Sequence, residues 1–315
     1  NCGKWDIASH PLNDSTGAEE SINYEPVNCG SSPYLSFAKE IKKQTGIPVG
    51  LIQTALGGSP LARWNPAQEG DLYSNMLKKI ENAGGRVKGV LWYQGCADTN
   101  QTSDAESYKE RFLQMVKCLR DDLKDPDLPV FTFQLNRYIT PPVSSYEDRN
   151  WSVIREAQRE AASEGHSIYV LPTIDGNLSD MIHNSSSFNL VLGKRLANQV
   201  LSKLYDRKTF SDAPDLKAVE LKARKLLLHF YPVYDRLYAG EASISEYPFT
   251  VEDDLGIIPI LNCSFLNRSD VLIELNRDVA GNVSVHAYFG QNPKCRCLYD
   301  FSTHYPILAF SKKVQ

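Results

Sequence analysis

Residues 167–197 read SIYVLPTIDGNLSDMIHNSSSFNLVLGKRLA. A β-prone apolar run reaches Thr173, a polar loop follows, and helix-type apolar spacing begins near Phe188. Strand, loop and helix in that order put the loop at the carboxyl end of a sheet strand, where α/β proteins carry their chemistry. Within the loop, Asp180 and His183 stand three residues apart. That spacing lets the carboxylate accept the Nδ1–H, which fixes the tautomer and stabilises an imidazolium, the supporting half of a Ser-His-Asp hydrolase. The same spacing also occurs in loops without catalytic work, so the pair needs company.

Working outward, the first 205 residues repeat the same alternation. Helical patterns are expected over 36–45, 73–83, 105–123, 151–164 and 188–205, and strands over 49–54, 87–93, 129–135 and 167–171. Gly46 and Pro48 punctuate the end of the first helix. Such alternation predicts an α/β fold, a parallel sheet with helices on both faces in three layers. Beyond about residue 210 the pattern becomes short β-type runs such as KLLLHF, PFTV, IIPILNCSF, DVLIEL and NVSVHAYF, broken by turns. This predicts a β-rich C-terminal module, a small sandwich. The expected division is 1–208 and 209–315, with SDAPDLK (211–217) as the linker.

With 42% hydrophobic and 23% charged residues the chain is an ordinary globular protein, and a net charge of −4 offers no basic field for nucleic acid. No apolar run is long enough to span a membrane. The seven cysteines show no CxxC and no zinc-type spacing, so no metal and no other cofactor is expected. Cys2 with Cys29, and Cys263 with Cys295 or Cys297, are candidate disulfides, with buried thiols as the alternative. Asn-x-Ser/Thr occurs eight times, at Asn13, Asn100, Asn150, Asn177, Asn184, Asn262, Asn267 and Asn282. This excess points to an extracytoplasmic glycoprotein, secreted, periplasmic or lysosomal. A glycan on Asn184 would obstruct its neighbour His183, which favours a non-glycosylated chain rich in Asn and Ser.

Two further stretches offer chemistry. LGGSP (56–60) follows a strand, and its glycines allow backbone N–H groups to approach a ligand as oxyanion donors. WYQGCAD (92–98) follows another strand; Gln94 offers an amide donor and Cys96 a thiol nucleophile for His183. Each also has a plain reading as a turn, a strand-ending polar residue and a buried small side chain. The other five histidines, at 10, 166, 229, 286 and 304, lack a comparable neighbouring carboxylate in sequence or lie in the β-rich part.

Taken together, GLIQTALGGSPLARW (50–64), GVLWYQGCAD (89–98), WSVIREAQREA (151–161) and the Asp-x-x-His with GKRLA (193–197) resemble, in order and spacing, the carbohydrate O-acetylesterases of the SGNH hydrolase superfamily. The sialate O-acetylesterase and acetylxylan esterase branch is the most similar. The resemblance runs from about Gly3 to Tyr205, and VHAYFGQNPKCRCLYDFSTHYPILAF resembles the branch's β-rich end. It implies His183 as general base, Asp180 as its orienting acid, a backbone N–H of the Gly57–Gly58 turn (that of Gly58) and the Gln94 amide as oxyanion donors, and an acetylated sugar as substrate. The family's QGES, followed by Asn or Asp, is QGCAD here, which puts site geometry and substrate preference in question. The family's nucleophile lies in a GQSNM-like block that this sequence does not contain. Three explanations follow: the serine precedes Asn1, the chain is a glycan-binding pseudoenzyme, or Ser59 or Cys96 is recruited. The first is the expectation carried forward.

Overall fold

The computed structural model of the protein describes residues 5–12, 21–27, 30–141, 145–240 and 246–314, with the side chains of 145 and 146 left aside. The first half holds helices α1 (Pro33–Thr45), α2 (Asp71–Asn82), α3 (Thr102–Glu106), α4 (Tyr108–Leu123), α5 (Ser145–Glu164) and α6 (Ser186–Leu204). Between them run strands β1 (Val90–Trp92), β2 (Val130–Phe133) and β3 (Ile168–Leu171). The strands form one parallel sheet in the order β1-β2-β3, with Val90 opposite Val130 and Val130 opposite Ile168. Successive side chains of a strand point to opposite faces. Accordingly Trp92 and Ile168 join one core with Met76, Phe112, Met115 and Ile154 of α2, α4 and α5. Phe131 and Leu171 join the other with Ile41, Leu192 and Leu196 of α1 and α6. The three layers are those expected from the alternation.

Two elements differ from the expectation. The stretch 49–54 is extended but forms no ladder among the described residues. Its side chains still alternate, Val49 and Leu51 packing on the α1/α6 core and Ile52 on the other. A strand exists only through a partner, and none of the described strands lies against it. The helix expected over 105–123 is two helices, broken at Ser107, where φ −90° and ψ 2° leave helical geometry. The Ser107 hydroxyl bonds the Ser103 carbonyl and also accepts from Arg111 Nε at 3.0 Å, a local competition with the helix ladder.

The second half is antiparallel. β4 (Asp215–Lys222), β5 (Lys225–Tyr231), β9 (Ile260–Phe265) and β10 (Asp270–Leu275) form a sheet in the order β4-β5-β10-β9. β7 (Phe249–Asp253), β8 (Gly256–Ile258), β11 (Val283–Ala287) and β13 (Phe310–Val314) form a second, β13-β11-β7-β8, and β6 (Leu237–Tyr238) pairs with β12 (Tyr299–Asp300). Leu228 and Ile273 of the first sheet share one core with Val251 and Val285 of the second, the packing of a sandwich. The expected linker is therefore partly strand: Asp215 opens β4, held by Arg159 at 3.1 Å. Its polar composition hid a strand that alternates towards solvent on one face. Cys263, Cys295 and Cys297 lie in this core as free thiols, the buried-thiol alternative to the candidate disulfide; Cys2 and Cys29 lie outside the described residues.

Arg155 joins the halves. It is fully buried on α5 and donates to the carbonyls of Leu135 (2.9 Å), Asn136 (2.9 Å), Tyr288 (3.2 Å), Gly290 (2.6 Å) and Gln291 (3.3 Å). Burial draws its pKa down to about 10, still well above neutrality. Five N–H groups aimed at carbonyls from both halves fix the loop after β2 against the β-rich part.

Candidate active site

The loop after β3 carries Asp180 and His183. An isolated antiparallel bridge between Leu178 and Asn184 closes it, and the Ser179 N–H donates to the His183 carbonyl at 2.8 Å. Inside this turn Asp180 Oδ1 accepts the backbone N–H groups of Ile182 (2.9 Å) and His183 (2.8 Å), while Oδ2 meets His183 Nδ1 at 2.7 Å. The backbone N–H groups of His183 and Ile182, then the imidazole, hold the Asp180 carboxyl down at about 2. With Nδ1 facing a carboxylate, the ring's free nitrogen is Nε2. The histidine side chain is 77% exposed and the aspartate 52%.

The Gly58 turn and Gln94 meet at the same carboxyl edge of the sheet. Gly58 takes φ +66°, where a glycine is favoured, and no atom lies within 4 Å of where its Cβ would be. The Gly57 N–H donates to Glu25 at 2.6 Å; the Gly58 N–H has no acceptor among the described residues. Ser59 is buried, its hydroxyl donating to the Leu56 carbonyl (2.8 Å) and accepting from Trp64 Nε1 (3.0 Å). It serves the turn. Gln94 Nε2 donates to the Ser59 carbonyl at 3.0 Å and to Asp98 Oδ2 at 2.6 Å, while its Oε1 accepts from Tyr108 at 3.0 Å. Both amide hydrogens are thus committed. At Gly95, φ +136° and the neighbours Ile154 Cγ2 and Gln158 Nε2, 3.1 and 3.2 Å from a Cβ, leave room for nothing larger.

Asp98 is the residue that sequence reasoning passed over. Its side chain is 0% exposed and accepts Leu61 N–H on both oxygens (3.2 and 3.0 Å), Gln94 Nε2, and Arg111 Nη2 at 3.0 Å. Burial raises its pKa, and the bonds from Gln94, Leu61 and Arg111 oppose that rise. The carboxylate ties the turn at 57–61 to the end of β1. The only sequence signal was its place at the end of QGCAD, where the resembling family has Asn or Asp. Burial likewise pushes the Cys96 thiol up to about 12, so it is protonated at neutral pH.

Direct hydrogen bonds do not join the Gly58 turn to the His183 loop; intermediaries do. The Tyr93 hydroxyl bonds Thr173 at 3.4 Å and also Asn184. Asn136 Nδ2 reaches Asn184 Oδ1 at 2.6 Å, and the Ile139 N–H donates to the Met181 carbonyl at 2.9 Å. Leu56 and Ile182 pack against the same core. Another imidazole–carboxylate contact in the α/β half, His166 Nε2 to Asp127 Oδ1 at 2.8 Å, was not legible in sequence. It sits just before β3 and β2, at the opposite edge of the sheet.

A family profile described as carbohydrate esterase, sialic acid-specific acetylesterase, matches residues 1–202, the whole α/β half. The chain belongs to this family. A probable carbohydrate esterase of Arabidopsis thaliana is 30% identical over 209 residues, covering 63% of this chain and 72% of that protein. The crystal structure of a carbohydrate acetylesterase from Xanthomonas citri superposes with a TM-score of 0.77 at 25% identity, over 90% of this chain and 65% of that one. This chain therefore spans about two thirds of that esterase's length. A solved Arabidopsis thaliana structure matches 64% of this chain and 77% of its own with a TM-score of 0.53 and 29% identity. The superposition on the Xanthomonas citri esterase extends past the family profile into the β-rich half, so both halves have a counterpart in one carbohydrate acetylesterase.

Proposed function

We propose that this chain hydrolyses O-acetyl esters on sugars, sialate O-acetylesterase-like, by a Ser-His-Asp mechanism of the SGNH type. The observation that carries the reading is the 2.7 Å contact of His183 Nδ1 with Asp180, in a family-matched segment, leaving Nε2 at an open sheet edge. His183 takes the proton of the attacking serine and returns it to the leaving sugar hydroxyl, while Asp180 steadies the imidazolium. The Gly58 N–H faces the oxyanion. Gln94 holds the Gly58–Ser59 turn through the Ser59 carbonyl, and becomes a second oxyanion donor by releasing that bond or its bond to Asp98.

The nucleophile in this reading is a serine N-terminal to Asn1. Chemistry at the two internal alternatives supports it: the Ser59 hydroxyl is spent on the Leu56 carbonyl, and the Cys96 thiol is held protonated. The same reading makes the protein extracytoplasmic, from its many Asn-x-Ser/Thr sites. No helix among the described residues is long and apolar enough to cross a membrane.

The test is acetate release from p-nitrophenyl acetate and an O-acetylated sugar by the complete gene product. His183→Ala is expected to lower kcat by about a thousandfold or more. A folded complete protein that binds acetylated glycans without releasing acetate would establish the pseudoenzyme instead.

A further inference from the structure

The Asp180–His183 contact is internal to its turn. Both side chains are exposed, Asp180 accepts backbone N–H groups of the same turn, and the Leu178–Asn184 bridge closes the turn on itself. The backbone that follows is also held locally. The Ser185 N–H donates to the Asn177 carbonyl at 2.8 Å, and the Ser185 hydroxyl caps α6 by accepting the Phe188 N–H at 3.2 Å. These bonds orient the imidazole against its carboxylate. They do not set where the whole turn stands over the carboxyl edge of the sheet.

Asn184, the residue after His183, reaches out of the turn to two anchors. Its Oδ1 accepts from Asn136 Nδ2 at 2.6 Å. Its side chain also bonds the hydroxyl of Tyr93, just past the end of β1. The Tyr93 proton is directed at Thr173 Oγ1 (3.4 Å), and the Thr173 hydroxyl donates in turn to the Gln134 carbonyl at 2.6 Å. Asn184 therefore meets the phenol oxygen with its NH₂, and its amide has one orientation that satisfies both partners. Asn136 and Thr173 are buried, so the core fixes the anchor points. Tyr93 immediately precedes Gln94, whose amide holds the Ser59 carbonyl of the Gly58 turn at 3.0 Å. One side chain thus connects the His183 turn to the strand end that carries the opposite wall of the site.

We infer that Asn184 is a positioning residue for the esterase reaction: held by Tyr93 and Asn136, it sets the place and angle at which His183 Nε2 meets the attacking hydroxyl. The inference rests on the proposed role of His183 as base. A displacement of about 1 Å at a reacting group can cost about a hundredfold in rate. Removing the two Asn184 bonds frees the turn to shift as a unit without breaking the contact inside it. The same bonds occupy the amide that the sequon Asn184-Ser185-Ser186 offers for glycosylation, so no glycan is expected there.

Asn184→Leu keeps the volume and removes both bonds. In the complete gene product acting on p-nitrophenyl acetate, it is expected to lower kcat about ten- to a hundredfold with KM within about twofold of wild type. Carboxyl-carbon NMR should still find Asp180 titrating near 2, the mark of an intact turn; a melted turn would return that carboxyl to about 4. Asn184→Asp, whose two oxygens accept from Asn136 and from a turned Tyr93 hydroxyl, should recover most of the rate. Tyr93→Phe guards against an Asn184 variant that fails to fold. It should also lower kcat, and Tyr93→Phe with Asn184→Leu should fall no further than Asn184→Leu alone. Wild-type kcat in Asn184→Leu, a loss of rate seen only with the Asp180 carboxyl back at its ordinary value, or a glycan on Asn184 in active protein from a eukaryotic secretory host would each overturn the role. His183→Ala separates the two readings. Acetate release kept by His183→Ala removes the base and the role of Asn184 with it, whereas an inactive His183→Ala beside a fully active Asn184→Leu sinks the positioning alone.

Discussion

Asp98→Asn tests whether a buried carboxylate holds the turn at 57–61 in place. The aspartate accepts from Leu61, Gln94 and Arg111 and donates nothing. Asparagine keeps the shape but has only one oxygen, so its NH₂ must face a donor. Gln94 cannot turn to compensate, because Tyr108 donates to its Oε1 and its other hydrogen goes to Ser59. Either orientation leaves a buried N–H against an N–H and removes the counter-charge of Arg111, whose side chain is 11% exposed. Breaking a buried pair by removing one partner typically costs about 3–5 kcal/mol. The low end applies, since Arg111 keeps the Asp104 carbonyl at 2.6 Å and Ser107 Oγ at 3.0 Å, and since burial already penalises the Asp98 charge. The expected loss is about 3 kcal/mol, read as a lowered urea midpoint at unchanged slope. In a cycle with Arg111→Met, the double variant should cost at least about 1.5 kcal/mol less than the sum of the singles. Asp98→Asn within about 0.5 kcal/mol of wild type, the range of ordinary surface substitutions, would refute the reasoning.

Four other outcomes are expected. The Asp180 carboxyl should titrate near 2 by carboxyl-carbon NMR; because this lies below the unfolded value, its stabilisation is complete above about pH 4 and is lost as pH falls towards 2. Asp180→Asn should lower kcat on the order of a hundredfold or more while leaving KM nearly unchanged, measured on the complete protein, since it removes support for the imidazolium and not a substrate contact. Cys96→Ser should keep acetate release within about twofold of wild type and the native Cys96 should resist iodoacetamide at pH 8, because its thiol is protonated. Peptide mapping after expression in a eukaryotic secretory pathway should find no glycan on Asn150, which is 3% exposed and donates its amide to the Thr99 carbonyl at 2.9 Å.

The Asp180–His183 contact was legible because its geometry is local. Asp180 reaches two backbone N–H groups and an imidazole within three residues, so one turn builds it. The Gly58 turn was legible for a similar reason, its glycines marking a conformation others avoid. What remained hidden is non-local. Gln94 reads as a free amide at a strand end, yet Ser59 and Asp98 claim both its hydrogens. Arg155 reads as one more charge on an amphipathic helix, yet its partners are carbonyls up to 136 residues away.

By itself the sequence determined the alternation of strand and helix, the change to short antiparallel runs after about residue 210, and the Asp180–His183 turn, because side-chain period and short-range hydrogen bonding are properties of consecutive residues. The tertiary structure decided which extended segments become strands, since a ladder requires a neighbour that 49–54 does not meet among the described residues. It also decided that Asp98 is a buried anchor and that Asn184 ties the His183 turn to Tyr93 and Asn136. Burial and counter-charge are set by what distant segments bring together, and no window of sequence contains them.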